Sequence, residues 1–312
     1  MKNYFDFALT GKKLLPVWLI YYLLVLVPYS MVSIFLGSHK TTSHFGWFYL
    51  LMIWLMIAGT LIGYFFIKLT LENIIFKEKQ VAFKGKFGTF SGKAIGGIVL
   101  TIITLGIYVC WFIEDITRYI AGNTSLDSSE FRFLGKGGRL FLIISLTLMV
   151  PLIIFSVLVA IYTYSHHPGT DLTLYSQILV YILMIPYVYF MYKWLMNFSF
   201  RNYHIKWETF FFKSALKILL EIFLSIITLG IYSPLAFLKI YKYFIDRTVA
   251  TSETETRHFG YDIDAGLLFL WGQILLTLVT LGIYYPWAFV KIGKWILNKT
   301  YLTSEITTVS AQ

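Results

Sequence analysis

Five basic residues occupy like places along this chain: Lys68, Arg118, Lys193, Lys242 and Lys294. Each closes an apolar run and precedes a polar residue by four or five positions, at Asn73, Asn123, Asn197, Arg247 and Lys299. Cations gathered at one membrane border would draw anions into a low-dielectric vestibule. Lys239 and Lys291 lie about one helical turn deeper and extend the set. A simpler account covers the same residues. Lys and Arg near helix ends snorkel to the interface and hold anionic headgroups. Glu114 and Asp115 stand where the related segments carry Leu238 and Lys239, or Val290 and Lys291. Acidic groups at membrane depth are costly. This pair is therefore expected to meet a cation, Lys239 or Lys291 of a neighbouring segment, or to couple protons or cations. Glu221 belongs with them.

Other constellations are weaker. His166, His167 and Asp171 share a loop, and His39 and His44 sit on another. Paired neighbours on loops are poor metal ligands without further donors, so no metal is assigned. No His-Glu-x-x-His or Gly-x-Ser-x-Gly occurs. The run from Gly85 to Ala94 fails as a phosphate loop, with Phe87 at the leading glycine and Ala94 in place of Ser/Thr. No catalytic residue and no cofactor is expected, and an enzyme is the less favoured class. The net charge of +10 arises beside apolar runs and comes with no nucleic-acid motif, so nucleic acid is not an expected partner. The single cysteine, Cys110, cannot form an intrachain disulfide.

The elements that must position these residues are membrane elements. The chain has 312 residues, 58% hydrophobic and 13% charged, whereas soluble domains carry about 25% charged residues. Uncharged runs at 14–36, 45–67, 140–165, 172–192 and 265–290 reach the roughly 20 residues a helix needs to cross a bilayer. Thr-Leu-Gly-Ile-Tyr recurs at 104–108, 228–232 and 280–284, each copy ending an apolar run. The positions are Thr104, Gly106 and Tyr108; Thr228, Gly230, Tyr232 and Pro234; and Thr280, Gly282, Tyr284, Pro286 and Trp287. The likeness continues downstream, ending at Thr124, Thr248 and Thr300, which marks repeated units.

Charge bias fixes the path of these segments. A single crossing at 94–120 would put Arg118, Arg132, Lys136 and Arg139 outside, against the positive-inside rule. A reversal at Leu-Gly-Ile-Tyr removes the conflict. Glycine frees the backbone there, and proline starts the returning helix. Each arm is then about 14–17 residues, or about 21–25 Å, short of a ~30 Å hydrocarbon core. A re-entrant backbone must be covered by protein, so the hairpins are expected to pack on the longer helices. Gly59 and Gly63 form a small-xxx-small face for helix packing, within the chain or with a second copy.

Short alternating stretches at 74–83, 125–133, 198–207, 249–259 and 301–309 read as β-hairpins. Two-stranded hairpins are marginal in water, which leaves room for them to join. The expected fold is all-α: a polytopic membrane protein of repeated helical hairpins, some short or re-entrant, with small cytoplasmic β-hairpins. It forms a single integral membrane domain, 1–312, of repeats at about 5–84, 85–130, 131–208, 209–255 and 256–312.

The stretch Thr280-Leu-Gly-Ile-Tyr-Tyr-Pro-Trp-Ala-Phe-Val-Lys-Ile-Gly-Lys-Trp295, with Asn298-Lys-Thr300, resembles the signature of the YjgN-like bacterial inner-membrane proteins, a domain of unknown function. The fourth repeat, Ser233-Pro-Leu-Ala-Phe-Leu-Lys-Ile-Tyr-Lys-Tyr243, resembles it too; the second matches in part, with Val109-Cys-Trp-Phe-Ile-Glu-Asp at the Tyr-Pro-Trp-Ala place. The resemblance implies a multi-pass protein of the bacterial inner membrane and carries no established activity. Both chain ends are expected in the cytoplasm. The expected function is a transporter or channel for a small anionic solute or lipid. The alternative is a non-catalytic scaffold or partner subunit binding anionic lipid, with a homo-oligomer or membrane partner compatible with either.

Overall fold

The computed structural model describes residues 1–38, 45–165, 173–264, 266–303 and 307–308. His39, His44, His166, His167 and Asp171 lie outside them. In chain order the elements begin β1 (Lys2–Phe7), α1 (Gly11–Tyr21), a π-helical turn (Tyr22–Leu26), α2 (Val27–Ser38) and α3 (Phe45–Leu71). Then come β2 (Ile74–Phe76), β3 (Lys79–Gln80), β4 (Ala82–Phe83), α4 (Phe87–Ile103), α5 (Val109–Gly122), β5 (Thr124–Leu126) and β6 (Ser129–Phe133). The next set is α6 (Gly137–Ile144), a second π-helical turn (Ser145–Met149), α7 (Val150–Ser165), α8 (Thr173–Leu195), β7 (Asn197–Phe200) and β8 (Tyr203–Trp207). It continues with α9 (Phe211–Ile227), α10 (Ser233–Asp246), β9 (Thr248–Thr251) and β10 (Glu255–Tyr261). Last are α11 (Leu267–Val279), α12 (Tyr285–Leu297), β11 (Thr300–Thr303) and β12 (Thr307–Thr308).

Two compact units result, one of Met1–Arg132 with Asp264–Glu305, the other of Phe133–Ile263 with Ile306–Gln312. In unit 1 the helices neighbour one another as α11, α12, α1, α3, α4, α5. The short hairpins α4–α5 and α11–α12 thus lie against α3 and α1, as their need for cover requires. Gly11 sits so close to Trp287 that an added Cβ would stand 2.5 Å from the indole. In unit 2, α6, α8, α9 and α10 neighbour in that order.

The all-α expectation is overturned. In unit 1 the strands are hydrogen-bonded in the order β3–β2–β1–β11, with a further antiparallel run β4–β5–β6; in unit 2 the order is β7–β8–β9–β10, and β12 also pairs β10. Four of the five expected hairpins are present, while at 301–309 β11 pairs β1 and β12 pairs β10; none of these ladders is a lone ornament. A free hairpin edge is a row of unpaired N–H and C=O groups, and these edges pair with the next strand instead. β1 shows it best: Tyr4 registers with Tyr301 on one side, and Phe5 with Phe76 on the other. The hairpin turns fall at Lys77–Glu78 and Asp127–Ser128, with positive φ at both residues of each (49° and 63°; 53° and 63°). That is the primed turn that suits the strand twist.

Three helical spans are long and apolar enough to cross a membrane: Gly11–Ile34, Tyr49–Leu71 and Gly137–Tyr162. The first includes a π turn just ahead of Pro28. Proline has no N–H to offer the Leu24 carbonyl one turn back, and the Trp54 indole donates to that carbonyl at 3.1 Å. The apolar run at 265–290 is not one span; it breaks into α11 and α12. Gly59 and Gly63 meet nothing within 4 Å of a built Cβ among the described residues.

The apolar core of unit 1 lies where strands meet helix starts. One cluster joins Phe7, Leu9, Leu14 and Val290, another Tyr64, Phe83, Phe90 and Ala94. In unit 2 the Trp207 ring is packed by Tyr189, Tyr192 and Phe244 at 5.2, 5.0 and 5.0 Å.

Candidate functional site

The three Thr-Leu-Gly-Ile-Tyr corners share one construction. The threonine ends the outgoing helix and donates its hydroxyl back to the carbonyl four residues earlier: Thr104 to Leu100 at 2.7 Å, Thr228 to Leu224 at 2.9 Å, Thr280 to Leu276 at 2.8 Å. The same oxygen accepts the tyrosine backbone N–H at 3.0, 3.1 and 3.0 Å. The glycine N–H reaches back to Thr101, Ser225 or Thr277, each at 2.7 Å. This is the six-to-one bond that closes a helix through a left-handed residue. Here that residue is leucine: Leu105, Leu229 and Leu281 have φ of 51°, 50° and 51°. The glycine then continues at 92°, 86° or 89°. Pro234 and Pro286 stand in the first turn of the returning helices, where a missing N–H costs nothing.

These leucines are 94%, 92% and 78% exposed. Left-handed backbone favours Gly or Asn, and an apolar tip in water gains nothing. Leucine suits such a place when the surroundings are hydrocarbon.

Below each corner the tyrosine hydroxyl links the two arms. Tyr232 donates to the Glu221 Oε2 at 2.7 Å and accepts from Lys239 Nζ at 2.7 Å. The other carboxylate oxygen accepts from Lys217 at 2.6 Å. Glu221 is 1% exposed, so two donors, Lys217 and Tyr232, replace its lost water. In α11–α12 the pattern repeats with a neutral member: Tyr284 donates to the Gln273 Oε1 at 2.9 Å and accepts from Lys291 at 2.9 Å. In α4–α5 the third partner is gone. Gly97 stands at the Glu221 place, and the Phe112 ring lies so near that a Cβ would stand 2.1 Å from it. The Tyr108 hydroxyl interacts instead with Asp115, the residue at the Lys239 place.

Most of the remaining cations have a partner nearby. Lys68 lies 3.9 Å from Glu72. Arg118 pairs with Glu114 on its own helix. Lys193 stands 6.0 Å over the Tyr189 ring. Lys242 bonds Asp246 at 2.8 Å and the Tyr261 carbonyl at 2.7 Å. Lys294 occupies the last turn of α12. Four of the seven (Lys68, Arg118, Lys291, Lys294) belong to unit 1 and three (Lys193, Lys239, Lys242) to unit 2. No two share a partner among the described residues. Strand starts are just as regular: Thr124, Thr248 and Thr300 each donate to a carbonyl four residues back, at 2.7, 2.9 and 2.9 Å.

Sequence reasoning found the tyrosines and lysines of this network but missed Gln273, Lys217 and Gly97. The signal was spacing. Glu221, Gln273 and Gly97 all lie seven residues before the corner threonine, yet their side chains have little in common.

A family model described as "Bacterial protein of unknown function (DUF898)" matches residues 78–248. The inner membrane protein YjgN of Salmonella typhimurium is 31% identical over 109 residues, 35% of this chain. The match spans 25% of that relative. No solved structure matches the chain.

Proposed function

This chain belongs to the family of bacterial proteins of unknown function DUF898, and we propose that it is a multi-pass inner-membrane protein acting as a non-catalytic scaffold or partner subunit that holds anionic lipid. Its short hairpins dip into the bilayer between longer helices, and the residues flanking them share the cytoplasmic side. One observation carries this reading. Cations at the helix ends are tied to acids on their own helices, as Lys68 is to Glu72, Arg118 to Glu114 and Lys242 to Asp246. The exposed leucines at the left-handed corner positions support immersion of the tips. The name of the Salmonella typhimurium relative supports the inner membrane as location.

Transport of a small anionic solute or lipid is the second reading. The buried charged network around Glu221 and Lys239 favours it, because charged groups at membrane depth commonly line solute paths. Two measurements separate the readings. Single cysteines at Lys86 and Ser128, in a Cys110→Ala background, are both expected to label from the cytoplasmic side only. Proteoliposomes are expected to release anions no faster than protein-free vesicles. Flux that Lys242→Gln/Lys294→Gln changes without loss of fold would establish transport instead. Opposite-side labelling of the two cysteines would end the re-entrant scheme.

A further inference from the structure

One end of unit 2 holds a cleft of about 680 Å³, well within the size of ligand sites. Its lining includes Arg139, Lys193, Lys206, Lys213, Arg247 and His204. They come from the start of α6, the end of α8, β8, the first turn of α9 and the residue after α10. Glu208 is the one carboxylate on the lining, and it is taken by Lys206 at 2.7 Å. Arg139, Lys193, Lys213 and Arg247 have no carboxylate partner among the described residues. Four cations with no acid beside them thus face one hollow.

The surroundings hold these heads in place without neutralising them. Arg247 lies 5.9 Å over the Tyr243 ring and Lys213 5.8 Å over the Phe210 ring. Thr209 and the Tyr243 hydroxyl, both on the lining, bond each other at 2.9 Å. Trp207 also lines the cleft; its ring is buried, and its indole N–H has no acceptor among the described residues. The first turn of α9 contains no acid, leaving its N-terminal amides to favour negative charge. Guanidinium groups, ammonium groups and hydroxyls together suit a phosphate.

We propose that this cleft binds the phosphate of an anionic phospholipid headgroup. A free phosphate offers the same chemistry. The lipid is favoured because Phe210 and Phe212, at the mouth of α9, are exposed apolar rings, which belong at an acyl boundary rather than in water. The assignment rests on the scaffold reading only in taking the phosphate to be carried by lipid.

The test is equilibrium titration of the purified full chain in neutral detergent micelles with fluorescent phosphatidylglycerol, with phosphatidylcholine as the uncharged comparison. Lys213→Gln/Arg247→Gln is expected to weaken phosphatidylglycerol binding about tenfold or more. The charge-matched control Lys12→Gln/Lys13→Gln, in unit 1, is expected to change it by less than about twofold. If the first pair does not yield a monodisperse protein, Arg139→Gln/Lys193→Gln replaces it with the same expectation. An equal loss in cleft and control pairs, or no loss in the cleft pair, overturns the site. Displacement of the lipid by inorganic phosphate at a similar concentration keeps the site and overturns the lipid as its source. Micelle binding reads neither flux nor topology, so a failure here leaves the scaffold reading standing, and anion flux leaves the cleft standing.

Discussion

Tyr232 and Tyr284 do the same job for partners of different charge, and this makes them a matched experiment. Tyr232→Phe removes a donor from a buried carboxylate; Tyr284→Phe removes one from a buried amide. Hydrogen bonds to charged groups contribute about 1.5–3 kcal/mol and neutral ones about 0.5–1.5 kcal/mol. Thermal unfolding in detergent should therefore fall further for Tyr232→Phe than for Tyr284→Phe. The reverse order would mean that Lys217 alone satisfies Glu221. The lysines seven residues after each tyrosine were legible in the sequence, because chemistry and spacing agree. Of the acceptors eleven residues before, Glu221 was legible as an acid but Gln273 was not, because glutamate, glutamine and the glycine of the first copy read as unrelated. Only the position relative to the corner joins them, and in α4–α5 the vacated volume goes to an aromatic ring from the opposite arm.

The corner depends on its backbone. Gly230 has φ of 86°, so Gly230→Ala forces an L side chain into a conformation that costs about 1–2 kcal/mol. Gly272, in the middle of α11, meets nothing within 4 Å. Gly272→Ala should stabilise by about 0.5–1 kcal/mol, as expected for glycine in a helix interior. Opposite shifts in melting temperature for these two substitutions are the expected result; a loss in both would deny that the corner needs glycine. The hairpin arms were legible because a positive-inside argument forbids an odd number of crossings. The β-hairpins were legible because alternation and turn residues are local. What alternation could not give was the partner of each hairpin edge. Phe5 sits beside Phe76, and Tyr4 beside Tyr301; nothing in the short runs around those residues names the other. That is why an all-α expectation failed while four of the five hairpins were found.

Unit 1 is assembled from two distant stretches of sequence, joined by the β1–β11 ladder and by α1 against α12. The Trp18 indole donates to the Gly282 carbonyl at 2.9 Å, and so ties the long helix to the third corner. Tyr301→Pro removes a backbone donor from a strand that pairs with β1 and should open that edge. Limited proteolysis is then expected to degrade unit 1 faster, with fragments of unit 2 persisting. Equal protection of unit 1 in parent and variant would show that the helix contacts suffice without the ladder.

The β1–β11 ladder also sets a timetable. Chains emerge from the ribosome N-terminus first. β1 is made long before β11, its neighbour on that side. Helices α6–α10 and their strands lie between the two in sequence and can dock first; the first unit has to wait. For all that time one flank of β1 is open to any extended segment nearby, which makes the interval before β11 appears the moment when this strand is most exposed to mispairing.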